Sequence, residues 1–241
     1  MRCIFVGIEY AGKTTLINLL KEYYARRRQP VHMDDHFTIP DSTLSPSSRE
    51  EMVNYPDDVK ERMQRMQIQY HIEVIRNYAH VLISGWHIEE SIYSEFYGND
   101  PDSPYYPNFW HANKRTHEAL VHEARVPDIV LVHVTASDGA IRERMTSDPH
   151  RYQIIREGDI GALKRRFEEE CDQSLLGKRG RIDLDTTDRT PGQSLDELLL
   201  KSEPMITPGE LAIRAMAVPD GDYEVVYENG VRKTVPAGRR G

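Results

Sequence analysis

The tightest constraint on this chain lies in its first twenty residues, MRCIFVGIEYAGKTTLINLL. Residues 2–6, Arg-Cys-Ile-Phe-Val, form an apolar run of strand length that stops at Gly7, and Gly12-Lys13-Thr14 opens an amphipathic segment carrying Leu16, Leu19 and Leu20. Strand, glycine loop and helix follow in that order. Gly7 and Gly12 bracket four residues ahead of Lys13-Thr14, which completes G-x-x-x-x-G-K-[ST]. A chain curls this closely around an anion only where bulky Cβ atoms are missing, so that backbone N–H groups converge on phosphate oxygens. The helix start adds the positive end of its dipole, Lys13 reaches the β- and γ-phosphates of ATP, and the Thr14 hydroxyl is placed to ligate Mg²⁺. The expected loop contacts to the nucleotide are Gly7, Glu9, Tyr10, Ala11, Gly12, Lys13, Thr14 and Thr15. A plain turn between a strand and a helix is the competing reading, and the flanking elements weigh against it.

The chain of 241 residues suits one main α/β domain, expected over 1–202, with an extension over 203–241. Lys and Arg total 31 against 39 Asp and Glu, a formal charge of −8, which disfavours nucleic acid and anionic membrane surfaces as partners. No apolar stretch approaches the roughly twenty residues needed to cross a bilayer, and Met1-Arg2 runs into the first strand without a signal-peptide pattern, so a cytoplasmic location is expected. Cys3 and Cys171 suggest neither a disulfide scaffold nor a metal cluster.

In a doubly wound sheet ligands gather at the carboxyl ends of the strands. A second strand over 29–33 ends at Asp34-Asp35-His36-Phe37, all four expected near the substrate. One of Asp34 and Asp35 would activate an acceptor hydroxyl, and Asp35 would also hold Mg²⁺ directly or through water; a helix or turn cap is the structural alternative. Residues 38–58 read as a loop over the site. A helix over 59–78 is expected to bury a stripe of Met63, Met66, Tyr70, Val74 and Tyr78, and Gln69 would meet a nucleobase edge if its face borders the pocket. The run 81–84 is a buried third strand, and Trp86, His87, Glu89 and Glu90 after it are candidates for substrate or Mg²⁺-water contacts, although the two glutamates could also simply begin a helix.

Residues 98–117 form an insertion whose aromatics, among them Tyr105 and Trp110, either clamp a planar substrate or staple the loop; His111, His117 and His122 lack zinc spacing. A fourth strand over 128–134 leads into a helix over 137–145 with Arg142 and Arg144, then a basic segment over 146–158 with His150, Arg151 and Arg156. Positive charge there suits a lid closing on a transferring phosphoryl group, with salt bridges to Glu143, Glu157 and Asp159 as the structural alternative. A charged helix over 159–175, a fifth strand over 181–185 and a last helix through 200 complete the domain, the loop after the fifth strand bordering adenine. Residues 223–235 read as a hairpin around Asn229-Gly230, a type I′ turn pair.

These residues resemble the nucleoside and nucleotide kinase branch of the P-loop superfamily, with thymidylate kinase as the type, over about 1–200. The likeness rests on 7–15, on Glu73-Val74-Ile75-Arg76 before the third strand, on 91–98, and on Ile182-Asp183-Leu184-Asp185-Thr186-Thr187. Asp35-His36-Phe37 is similar to the Asp-x-Phe of uridine kinase-like enzymes, whose Asp deprotonates the acceptor hydroxyl, which favours Asp35 as the base. One departure stands out: thymidylate kinases usually carry Asp-Arg-Tyr after the third strand, where this chain has Gly85-Trp86-His87. That counts against thymidine monophosphate and leaves room for an acceptor without a phosphate. The resemblance implies a P-loop parallel sheet flanked by helices, to which the residues themselves add a C-terminal β-hairpin appendage, and a Mg²⁺-dependent kinase moving the ATP γ-phosphoryl group to a nucleoside, nucleotide or similar small molecule. Lys13, Asp35, Arg144 and Arg151 would act in transfer and Arg142 on ATP, and a homodimer is an open possibility. The rivals are a kinase of a non-nucleotide hydroxyl or of a modified base in DNA, and a P-loop switch or ATPase.

Overall fold

The computed structural model describes residues 1–35, 44–103, 105, 117–126, 128–216, 223–228 and 231–236. In chain order the elements are β1 (Arg2–Val6), α1 (Lys13–Arg26), β2 (His32–Asp35), α2 (Pro46–Val53), α3 (Asp57–Asn77), β3 (Val81–Ser84), α4 (His87–Tyr97), α5 (His117–Arg125), β4 (Val130–Thr135), α6 (Asp138–Ser147), α7 (Ile160–Gln173), α8 (Leu175–Arg179), β5 (Arg181–Asp185), α9 (Pro191–Ser202), α10 (Pro208–Met216), β6 (Tyr223–Glu228) and β7 (Val231–Pro236).

Cys3, Ile4, Phe5 and Val6 are all fully buried, as are Leu131, Val132 and Val134. A strand that is apolar on both sides must be covered on both faces, and a parallel sheet with helical crossovers meets that demand. Five parallel strands lie in the order β2-β3-β1-β4-β5, with α1 and α9 packed together and a second group of α4, α7 and α8 packed around β4. β1 is therefore central. From it the chain goes first to the edge strand β2, returns to β3 beside β1, and then crosses to β4 and β5, so the glycine loop leaves β1 at the point where the strand order reverses. Such a switch point opens a crevice between neighbouring crossovers. β5, at the edge, alternates buried Ile182 and Leu184 with exposed Asp183 and Asp185, and charge on an edge discourages strand addition.

The five-strand parallel core expected from the sequence is present, and several local expectations are corrected. The second strand runs through Asp34 and Asp35 instead of stopping before them. The segment read as loop over 38–58 contains α2: Ser45 accepts the Ser48 N–H, Pro46 occupies the first turn and Met52 is buried. Ser-Pro is a helix-start signal in its own right. On α3 the expected stripe is buried only in part: Val74 is buried and Met63 packs against the core, whereas Met66, Tyr70 and Tyr78 are about half exposed or more. The buried face carries Lys60, Gln64, Ile68, His71, Ile72 and Ile75. Two apolar stripes compete on this helix, and the one that wins brings His71 to the Asp34 carboxylate (3.4 Å). The charged helix expected over 159–175 is α7, and Ser174, which ends it, also caps the short α8 that follows. In the extension, α10 is held through Glu210, which pairs with the Met1 amino group at 2.6 Å. β6 and β7 pair antiparallel from Tyr223 opposite Pro236 to Glu228 opposite Val231, and Asn229-Gly230 lie outside the described residues. No helix among the described residues is long and apolar enough to cross a membrane.

The phase of α3 is directly testable. Ile72→Ala should destabilise the protein by about 2–5 kcal/mol in denaturant titration. Met66→Ala should change stability by less than about 0.5 kcal/mol. Equal costs would contradict the observed face.

Candidate active site

The loop between β1 and α1 is built on three positive-φ residues, Gly7 at 148°, Tyr10 at 66° and Gly12 at 95°. At Gly7 the freedom is compulsory: a Cβ there would lie 2.0 Å from the Val134 carbonyl oxygen, where the end of β4 passes the loop. Lys13 folds back over this loop. Its Nζ donates to the Gly7 carbonyl, to the Ile8 carbonyl at 3.3 Å, and lies 3.1 Å from Glu89 Oε1. The same Glu89 oxygen accepts the Gly7 N–H at 3.1 Å. One turn further along α4, Tyr93 Oη accepts the Glu9 N–H at 2.9 Å. The first turns of α4 thus grip the loop through residues i and i+4, which share a helix face. Burial raises the Glu89 pKa, and the adjacent Lys13 ammonium opposes that rise. The chain enters α4 through Gly85 (φ 84°) and Trp86 (φ 90°); the indole is fully buried and stacks edge-on to His87.

A cavity of about 440 Å³ opens on the loop, bordered by Gly12, Lys13, Thr14 and Thr15 on one side and by Arg144, His150, Thr186 and Arg189 on the other. Arg144 does not reach into open space: it donates to the Tyr10 carbonyl (2.9 Å), to Thr186 Oγ1 (3.1 Å) and to the Thr186 carbonyl (2.9 Å). Thr186 in turn donates to the Ala11 carbonyl at 2.8 Å. The tip of β5 and the end of α6 therefore hold the outer side of the loop as α4 holds the inner. The Thr14 and Thr15 side chains are exposed toward the cavity, so a hydroxyl is available to a hard cation.

Residues 148–156 cross in front of the loop as a strap. Glu9 Oε2 accepts the N–H groups of Ile154 (3.0 Å) and Ile155 (3.2 Å), and Glu9 Oε1 lies 2.6 Å from His150 Nδ1. Tyr10 stacks on the His150 ring at 4.1 Å, accepts the His150 N–H and donates to Gln153 Oε1 at 2.8 Å. The hydrogen bond to Glu9 raises the His150 pKa against a partial burial that would lower it. The carboxylate and ring of Glu9 and Tyr10, expected to face ATP, are thus engaged by the strap, while both residues still border the cavity.

Other expected site residues disperse. Arg142 turns outward to Glu157 (3.0 Å) and does not border the cavity. Arg151 pairs with Glu50 at 2.6 Å and borders a second cavity of about 750 Å³, beyond the strap. The Asp34 carboxylate lies between His71 (3.4 Å) and His32 (3.7 Å); burial would raise its pKa, but the two histidines outweigh this and lower it. Asp35 is the last residue of β2, level with Ser84 of β3, at the carboxyl end of the sheet. His36 and Phe37 lie outside the described residues. Gln69, expected at a nucleobase, bonds to His122 (3.1 Å) and Arg125 (2.9 Å) between α3 and α5. His87, expected at the substrate, is fully buried and bonds Glu123 at 3.0 Å, because α4 turns this side of its first turn to the core.

Sequence reasoning missed Tyr93 and Thr186 as loop supports. The only signal for either was its place one turn after Glu89 or just past a strand end. Among the described residues, His133, Glu168 and Asp183 have metal-like spacing, but the Arg181 guanidinium donates to both carboxylates at 2.7 Å and already supplies the positive charge.

The parallel order, the glycine loop at its switch point and the lysine folded over it define the P-loop kinase fold. Solved structures bear this out. The chain is similar to thymidylate kinase from Candida albicans (11% identity, 97% of this chain and 96% of that one, TM-score 0.59). It is also similar to deoxyadenosine kinase from M. mycoides with bound dCTP (13%, 85% and 100%, 0.54) and to YorR protein from Bacillus subtilis in complex with phosphorylated GDP (14%, 83% and 94%, 0.51). At these identities the likeness shows the fold. No protein-family model matches the chain, and no curated protein matches its sequence.

The strap latch carries a pH signature. A His pKa raised by folding stabilises the native state fully below the unfolded value near 6.5, and the contribution is lost as pH climbs through the raised native value. The melting-temperature gap between the protein and its His150→Gln variant should be larger at about pH 6 than at about pH 9. Because His150 is nearly half exposed, the pH-dependent part should stay at about 0.5 kcal/mol. A gap independent of pH would leave only the Tyr10 stacking.

Proposed function

We propose that this protein is a Mg²⁺-dependent kinase that transfers the γ-phosphoryl group of ATP to a nucleoside, nucleotide or similar small molecule. The observation that carries the reading is the Lys13–Glu89–Gly7 junction. A lysine is held over a glycine loop by a buried carboxylate, beside a cavity bordered by Thr14, Thr15 and Arg144. The named neighbours, a thymidylate kinase and a deoxyadenosine kinase, support the same chemistry.

When phosphates enter the loop, Lys13 exchanges the Gly7 and Ile8 carbonyls for β- and γ-phosphate oxygens, and Glu89 keeps the ammonium from swinging out. Thr14 and Asp35 would hold Mg²⁺, which neutralises charge between the phosphates. Asp35 takes the proton of the acceptor hydroxyl as its oxygen bonds the γ-phosphorus, and the bond to the β-bridging oxygen breaks to release ADP. Its neighbour Asp34 is taken up by two histidines, so the proposal gives the base to Asp35. Arg144 acts by fixing the loop through the Tyr10 carbonyl, and Arg151 serves the acceptor side.

Lys13→Ala should lower kcat by about 10²-fold or more with folding intact by circular dichroism. Asp35→Asn should lower kcat by about 10²–10⁴-fold with little change in melting temperature. Asp34→Asn should do the reverse, losing about 1 kcal/mol of stability while kcat stays within a few fold. Full turnover in Lys13→Ala would remove the proposal.

A further inference from the structure

Glu9 lies inside the glycine loop and borders its cavity, where a carboxylate is an unfavourable neighbour for a polyphosphate. Its side chain is only 14% exposed, so water screens the charge poorly. The strap over 148–156 answers that charge. The N–H groups of Ile154 and Ile155 bond Glu9 Oε2, and His150 Nδ1 stands 2.6 Å from Oε1. The strap begins where α6 stops at Ser147, because Pro149 favours an extended residue before it and so ends the helix.

Tyr10 is tied to the same segment. Its φ of 66° lies in the left-handed region, which a non-glycine residue keeps only where its surroundings fix it. Here the strap does so: the ring stacks on His150 at 4.1 Å, and the hydroxyl accepts the His150 N–H and donates to Gln153. His150 thus touches two consecutive side chains of the loop. Among the described residues, the charged and titratable groups facing its imidazole are Glu9 and Tyr10 from the loop, Lys13 from α1 and Asp148 from the strap. Arg144, at the end of α6, is bonded to the Tyr10 and Thr186 carbonyls. Glu9 and Asp148 favour the imidazolium, and the Lys13 ammonium opposes it. A polyphosphate at Lys13 would answer that ammonium and bring further negative charge beside His150, which borders the same cavity. Proton and polyphosphate then favour one another, and such a coupling acts equally in both directions.

We propose that His150 is a positioning residue for the glycine loop: its imidazolium keeps the Glu9 carboxylate engaged in the strap, and the loop then binds a nucleoside triphosphate more tightly than when the imidazole is neutral. This role presupposes the kinase reading of the same site. Once the proton is lost, Glu9 stands one cation short beside the incoming phosphates. Affinity is therefore greatest at low pH and falls as pH climbs through the raised His150 value.

The test is calorimetric titration of the full chain with ATP and Mg²⁺ from about pH 6 to about pH 9, with His150→Gln and Glu9→Gln in parallel. Dividing each Kd by that of His150→Gln at the same pH removes the nucleotide's own titration. Against that reference the unaltered protein should bind about three- to tenfold more tightly at about pH 6, and with nearly equal affinity at about pH 9. Glu9→Gln keeps an oxygen for the strap N–H groups but carries no charge. The pH at which its advantage disappears should therefore move down toward the ordinary histidine value, near about 6.5. A His150 that only packs would give one ratio at every pH. That result, or an unmoved midpoint in Glu9→Gln, overturns the proposal while the nucleotide site stands. If the unaltered protein binds no ATP at any of these pH values, the kinase reading itself fails.

Discussion

The structure depends on one close approach: the end of β1 passes so near the Val134 carbonyl that position 7 tolerates no side chain. Because Gly7 fits there, β1 and β4 stay paired up to the loop, with Val6 level with His133. The same peptide presents its N–H to Glu89 and its carbonyl to Lys13. One residue thus ties two central strands, the first turn of α4 and the lysine that defines the site. Its N–H joins a buried carboxylate that burial alone would push toward the neutral form, and the Gly7 N–H and the Lys13 ammonium both oppose that push.

The position of α4, on which this arrangement rests, is itself fixed by a buried polar node. His87 and Glu123 have no exposed surface, and an isolated buried pair would be costly through lost hydration. Here the remaining capacity of Glu123 is filled by the Ser174 hydroxyl at 3.0 Å and the Leu175 N–H at 2.8 Å. The node joins α4, α5 and α8, and so aims Glu89 and Tyr93 at the loop from the opposite side of the helix. Other basic residues serve similar internal ends: Arg179 bonds two main-chain carbonyls, and Arg166 bridges Glu95 and Glu170.

The strap gives the site its division into two compartments. It is joined to the glycine loop by a carboxylate accepting two main-chain N–H groups and by a stacked Tyr–His pair. Any movement of the loop would move these partners too.

Much of this was legible locally. The strand over Arg2–Val6 and the helix opening at Lys13 stand where the pattern put them, because apolar run, glycine and helix start are all encoded within a few residues. The Ser-Pro start of α2 was equally local and was overlooked in a polar stretch. Arg142 and Arg144 show the limit of such signals: two residues apart on a helix they point in opposite directions, and only the packing of α6 decided that Arg144 faces the loop. Likewise α3 had two usable faces, and contact with the sheet selected the one bearing His71. The amino-acid sequence by itself determined the glycine-loop geometry and the order of strands and helices, since steric and hydrogen-bonding preferences act between near neighbours. The tertiary structure alone decided that Glu89 meets Gly7 across 82 residues and that Glu9 meets Ile154 across 145. Those pairings depend on how helices dock on the sheet, a property of the whole packed core and of no single stretch of it.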